Sequence, residues 1–106
     1  MLRIYPVILE ILKELQPVVR RIEVRDKDLA RQLRRCSCSI ALNVAEGMYS
    51  RGGKRNARYH SALGSARETL ACLEAAEACS LVSPREVTLQ PQLNRIIGTL
   101  VKLVAA

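Results

Sequence analysis

Apolar residues fall at Ile8, Ile11, Leu15, Val18 and Ile22, spaced 3, 4, 3, 4, and again at Leu89, Leu93, Ile96, Leu100 and Leu103, spaced 4, 3, 4, 3. A seam that repeats about every seven residues belongs to an amphipathic helix burying one stripe against another helix. Glu10, Lys13, Glu14, Arg20 and Arg21 fill the other side of the first segment. Strands would need period-two alternation rich in β-branched and aromatic residues, and no segment shows it. The chain has no Trp, no Phe and three Tyr. Its core must therefore be Leu, Ile, Val and Ala, which interlocking helices pack most readily.

Four such segments can be traced. Pro6 suits the first turn of the first helix, and Pro17 is expected to kink it near Lys13. Asp26 or Asp28 caps the second helix, whose seam is Leu29, Leu33, Cys36 and Ile40. Residues 36–45 (CSCSIALNVA) carry no charge, so this helix is expected to be buried on more than one side. A second subunit would cover the extra face, with close packing inside one bundle as the alternative. Gly47 and the Gly52-Gly53 pair break the pattern, and residues 50–53 read as a turn. The third helix is expected over about 54–81. Its seam is Tyr59, Leu63, Ala66, Leu70 and Leu73, beside a stripe of Ala62, Ser65, Thr69, Cys72, Ala76 and Cys79. Ser83-Pro84-Arg85-Glu86 combines an N-cap serine, a first-turn proline and a glutamate, and so predicts the start of the fourth helix. Pro91 is expected to kink that helix early. The 106 residues read as one domain, 1–106, all-α, an antiparallel up-down-up-down four-helix bundle.

Metal and haem sites are the usual cargo of such bundles. The one histidine, His60, has no Glu three residues before it, and C-x-x-C-H is absent. Cys36 and Cys38 point different ways on a helix. Cys72 and Cys79 share a face and with Cys36 can converge in the core, where buried cysteines commonly act as small hydrophobes. A nucleophilic enzyme needs a Ser or Cys with a positioned base and an orienting acid, and the sequence offers no such set. The expectation is a non-catalytic protein without metal or cofactor. No apolar run is long enough to span a bilayer and no secretion signal opens the chain, so a cytoplasmic protein with reduced thiols and no membrane contact is expected.

The net charge is +7. Residues 1–58 carry 13 basic and 6 acidic side chains, whereas residues 59–106 carry 4 of each. A one-sided excess points to an anionic partner, RNA or DNA before others, or to a solvated basic face. Arg51, Lys54, Arg55 and Arg58 form its densest part, with no acid among them. Cations in a first helical turn oppose the helix dipole, so helix stability does not explain them. Tyr49 and Tyr59 flank the cluster where they can stack on bases, and Arg31, Arg34 and Arg35 add charge on the second helix. The alternative is a protein-interaction scaffold that meets an acidic protein surface. Asn43 and Glu46, polar in an apolar stretch, are expected to bond each other, a helix end or a neighbouring subunit.

Gln32-Leu33-Arg34-Arg35, Ser39-Ile40 and Asn43-Val44-Ala45-Glu46-Gly47 resemble the signature of a family of four-helix bundles associated with intervening sequences of bacterial 23S rRNA genes. The basic stretch after Gly47 and Ala62-Leu63-Gly64-Ser65 with Glu68 resemble that family's third helix, and the likeness runs from about residue 4 to 103. It implies a ring-like homopentamer. The family is similar to the basic pentameric accessory proteins of diversity-generating retroelements, which bind nucleic acid and partner a reverse transcriptase. Two departures stand out: Tyr59-His60 where large apolar residues are usual, and cysteines on the second helix where Ala, Val or Ser are usual.

Overall fold

The computed structural model describes residues 2–84 and 89–106. Four helices follow in order: α1 (Ile4–Arg25), α2 (Lys27–Met48), α3 (Gly52–Ala78) and α4 (Gln90–Ala105), with no strand among the described residues. Each helix packs on the next and α1 closes on α4, while the diagonal pairs scarcely touch. The result is an antiparallel bundle of 43 × 22 × 19 Å.

The core is aliphatic. Ile8, Ile11, Leu15 and Ile22 of α1 meet Leu33, Ile40 and Val44 of α2, Leu73 of α3, and Leu93, Ile96 and Leu100 of α4, all almost fully buried. Apart from Val44, these are seam positions read from the sequence, whereas the seam residues Leu29 and Leu70 are only partly buried. Each side chain removed from water contributes about 1.5–3 kcal/mol, which offsets the entropy cost of ordering the helices. α1 stays helical through Pro17, and that proline and Lys13 both lie on the exposed side.

Asp26 alone joins α1 to α2. Its backbone is extended, its N–H donates to the Ile22 carbonyl at 2.8 Å, and its carboxylate accepts from the Leu29 N–H at 2.9 Å. Asp26 is therefore the cap. Asp28 sits in the first turn of α2 instead and pairs with Arg31 at 3.5 Å.

Gly47 does not break α2 but lies within it. A Cβ there would collide with Cε1 of Tyr59 and stand 2.7 Å from its Cδ1. The glycine is a close-approach position that lets the phenol ring lie on the α2 backbone. The turn follows at residues 49–51, and Gly52, with φ +56°, opens α3 two residues earlier than expected. α3 also ends earlier, at Ala78. Ser80 adopts the left-handed conformation at φ 58°. The Leu81 N–H then donates to the Ala76 carbonyl (2.8 Å) and the Ser80 N–H to that of Glu77 (3.0 Å). This pair of bonds is a Schellman termination, built on serine where glycine is usual.

The fourth helix begins at Gln90, not at the Ser83–Pro84 signal. Ser83 and Pro84 are not helical, and the remainder of that signal, Arg85 and Glu86, lies outside the described residues. Pro91 sits in the first turn of α4. There its missing N–H leaves no helical bond unmade, so it starts the helix rather than kinking it.

Candidate nucleic-acid interface

Up-down-up-down topology gathers the start of α1, the end of α2, the start of α3 and the end of α4 at one end of the bundle. Arg51, Lys54, Arg55 and Arg58 lie there, at the turn and first turns of α3, all exposed. Arg3 before α1 and Lys102 in the last turn of α4 join them, both exposed. Sequence spacing alone missed these two cations, since about 50 residues separate each from the cluster. The helix order implied by the seams was the signal that would have found them.

The cluster is acid-free in sequence but not in space. Arg58 Nε donates to Glu46 Oε2 at 2.8 Å, and its guanidinium reaches Asn43 Oδ1 at 3.4 Å. Asn43 Nδ2 in turn donates to the carbonyl and hydroxyl oxygens of Ser39, each at 2.9 Å, and the Ser39 and Ser65 hydroxyls bond at 2.8 Å. Asn43 and Glu46 thus serve a polar seam that fixes the register of α2 on α3. Arg58 belongs to that seam. Arg55 Nε donates to the Ser50 carbonyl at 2.9 Å, which holds the guanidinium in place, and neither terminal nitrogen has a partner among the described residues. Arg51 and Lys54 have no ion pair among the described residues.

The α2 arginines form a separate group. Arg31, Arg34 and Arg35 lie 13 to 17 residues before Met48, where α2 ends, which is about 20–25 Å along the helix axis at 1.5 Å per residue. Arg31 pairs with Asp28 and Arg34 with Glu23, both at 3.5 Å. Arg35 has no ion pair among the described residues and lines a shallow groove of about 490 Å³ with Gln32, Ser39, Ser65 and Glu68. That end of the bundle is mixed in sign. The end holding α3's first turn carries Glu46 on α2, and that acid is engaged by Arg58.

Tyr49 is 89% exposed and available to a base, whereas Tyr59 is only 5% exposed. The expectation that both flank the cluster as stacking rings therefore fails for Tyr59. Its face is covered because the ring is also a seam residue lying against Gly47.

Cys36 and Cys72 meet in the core, and Thr69 Oγ1 lies 3.3 Å from the Cys36 sulfur. Burial pushes the Cys36 thiol up, and burial together with the neighbouring Cys36 pushes Cys72 up to about 12. Both are protonated at neutral pH. Cys79 does not converge with them, because it caps the end of α3 and is exposed, as is Cys38. No group of three or more His, Cys, Asp or Glu with metal-binding geometry occurs among the described residues. No helix there is long and apolar enough to cross a membrane.

The family model for the 23S rRNA-intervening sequence protein matches residues 2–102. The chain belongs to that family. The intervening-sequence fold is also seen in the crystal structure of a protein of unknown function from the S23 ribosomal protein family of Bacteroides thetaiotaomicron VPI-5482. The two superpose with a TM-score of 0.87 at 17% identity, covering 97% of this chain and 99% of that one. At that identity the likeness establishes the fold alone. No curated protein matches the sequence.

Proposed function

We propose that this intervening-sequence protein is a non-catalytic, homo-oligomeric bundle that binds nucleic acid through the basic end of each protomer, as an accessory factor. The observation that carries the reading is the gathering of Arg3, Arg51, Lys54, Arg55 and Lys102 at one end of the bundle. In that neighbourhood the one acid on α2, Glu46, is already taken by Arg58. Phosphate contacts by such cations supply affinity with little sequence selectivity. A family named for ribosomal RNA intervening sequences is consistent with an RNA partner.

Self-association rests on the outer faces of α2 and α3. On α2, Cys38, Leu42 and Tyr49 are exposed, Leu42 to 66%. On α3, Ala57, Ser61, Gly64, Ala71, Ala75 and Ala78 are exposed at heptad spacing, interrupted by Glu68. Small residues at that period let another helix approach closely. The uncharged stretch of α2 thus has an outward as well as a core-facing side. The family resemblance supports a ring of five as the form of that assembly.

Titration of a labelled RNA with the purified protein at low salt tests the binding, and light scattering on a sizing column tests the assembly. Saturable binding and a mass about five times 11.8 kDa are expected. No binding at low salt, or a monomer mass, would overturn the corresponding half.

A further inference from the structure

A cavity of about 510 Å³ opens at the basic end, between the first turns of α3 and the ends of α1 and α4, lined by Leu2, Leu103, Ala106, Tyr59, Gly52, Arg55 and Asn56. Pockets of a few hundred Å³ with apolar walls and a few polar groups are the ordinary form of a small-ligand site. Here the walls divide by chemistry. Leu2 and Leu103 offer aliphatic surface, while the Asn56 amide stands exposed on the helix with no hydrogen-bond partner among the described residues. Tyr59 is only 5% exposed, yet its hydroxyl too bonds no described residue. Unlike the buried Gln92 Oε1, this hydroxyl is not sealed from solvent, so it is free to bond whatever enters the cavity.

Arg55 is held by its Nε bond to the Ser50 carbonyl, which frees the two terminal nitrogens for bidentate contact with a phosphate. The first turn of α3 has no side-chain cap and no acid. Gly52 and Gly53 put nothing over it, since even an added Cβ would meet only open space. The unbonded amides and the helix dipole reinforce the positive potential there.

We propose that this cavity takes one unpaired nucleotide, so that the protein prefers single-stranded to duplex nucleic acid. The base lies against Leu2 and Leu103, its edge meets the Asn56 amide and the Tyr59 hydroxyl, and its phosphate is held by Arg55. A paired base has its hydrogen-bonding edge occupied and cannot leave the stack without cost. A free nucleoside monophosphate presents the same chemistry. The proposal rests on the nucleic-acid reading above and narrows it.

The test is fluorescence anisotropy with one labelled RNA strand, alone and annealed into a blunt duplex, at a single low salt concentration. The single strand should bind about tenfold tighter than the duplex, as the contacts of one base allow. Asn56→Ala, an uncharged change on an exposed helix face, should remove that preference and leave duplex binding unchanged. A nucleoside monophosphate should displace the strand where inorganic phosphate at equal concentration does not. Equal affinity for both forms, with Asn56→Ala silent, would overturn the pocket and leave backbone binding standing. Displacement by phosphate as good as by nucleotide would also overturn it. A monophosphate that binds while neither strand does would assign the cavity to a free nucleotide and end the strand proposal. No binding of any probe would sink the underlying reading as well.

Discussion

Arg58 on α3 and Glu46 on α2 form a direct ion pair, Nε to Oε2 at 2.8 Å, across the seam of the two helices that flank the basic turn. The pair neutralises one cation of the cluster and anchors the helix that carries the others.

Glu46→Gln frees Arg58. Both partners are about half exposed, so the loss of stability should stay within about 1 kcal/mol. Affinity for nucleic acid should rise about two- to fivefold at low salt and the gain should vanish at high salt. Parallel thermal denaturation and anisotropy measure both effects.

Gly47→Ala puts a methyl group into the ring of Tyr59. Overpacking of this kind costs about 1–3 kcal/mol, equivalent to a Tm lower by about 4–8 °C for each kcal/mol. Adding Tyr59→Leu should recover part of the loss, because residues in contact are not additive. Denaturant midpoints for the two single variants and the double variant complete the cycle.

Asp26→Ala removes both the side-chain cap of α2 and the constraint at a one-residue connection. A loss of about 1 kcal/mol is expected, read as a lower denaturant midpoint with an unchanged slope.

The cysteines should divide into two classes. A thiol reagent at neutral pH should modify Cys38 and Cys79 rapidly, and Cys36 and Cys72 only as fast as the protein unfolds. Because burial holds Cys72 at about 12 when folded, against 9.0 in the unfolded chain, the unfolded state loses its proton first as pH rises. Stability from this group is complete below about pH 9 and declines between about pH 9 and 12. Cys72→Ala should flatten that decline in a series of denaturation curves taken across the range.

Most of the fold was legible because aliphatic side chains at heptad spacing leave few alternatives. Ile8 through Ile22 and Leu93 through Leu100 occupy the core positions the spacing names. What escaped was chemistry that depends on contact. Gly47 reads as a breaker until the Tyr59 ring is placed on it, and Ser80 gives no sign that it will end a helix in a glycine conformation. Ser83-Pro84 carries a strong local signal, but the helix it seems to announce begins several residues later, where Pro91 takes the first-turn place. The site shows the same pattern. The Arg51–Arg58 cluster was visible as a charge run, but the partnership of Arg58 with Glu46 and the arrival of Arg3 and Lys102 are products of topology. Arg31 and Arg34 looked equivalent to the cluster in sequence. They are separated from it by more than half the length of α2 and engaged with Asp28 and Glu23.

Under the proposed function, the basic end of the bundle, and not its overall charge, binds nucleic acid. The most direct test is the salt dependence of RNA affinity for two charge-reversed variants of equal net charge. One carries Glu at Arg51, Lys54 and Arg55, the other Glu at Arg31, Arg34 and Arg35. If each lost phosphate contact removes about 0.7 from the slope of log affinity against log salt for a single strand, the first variant should flatten that slope by about 2. The second should leave it nearly unchanged. Equal flattening by both variants, or none by the first, would contradict the account.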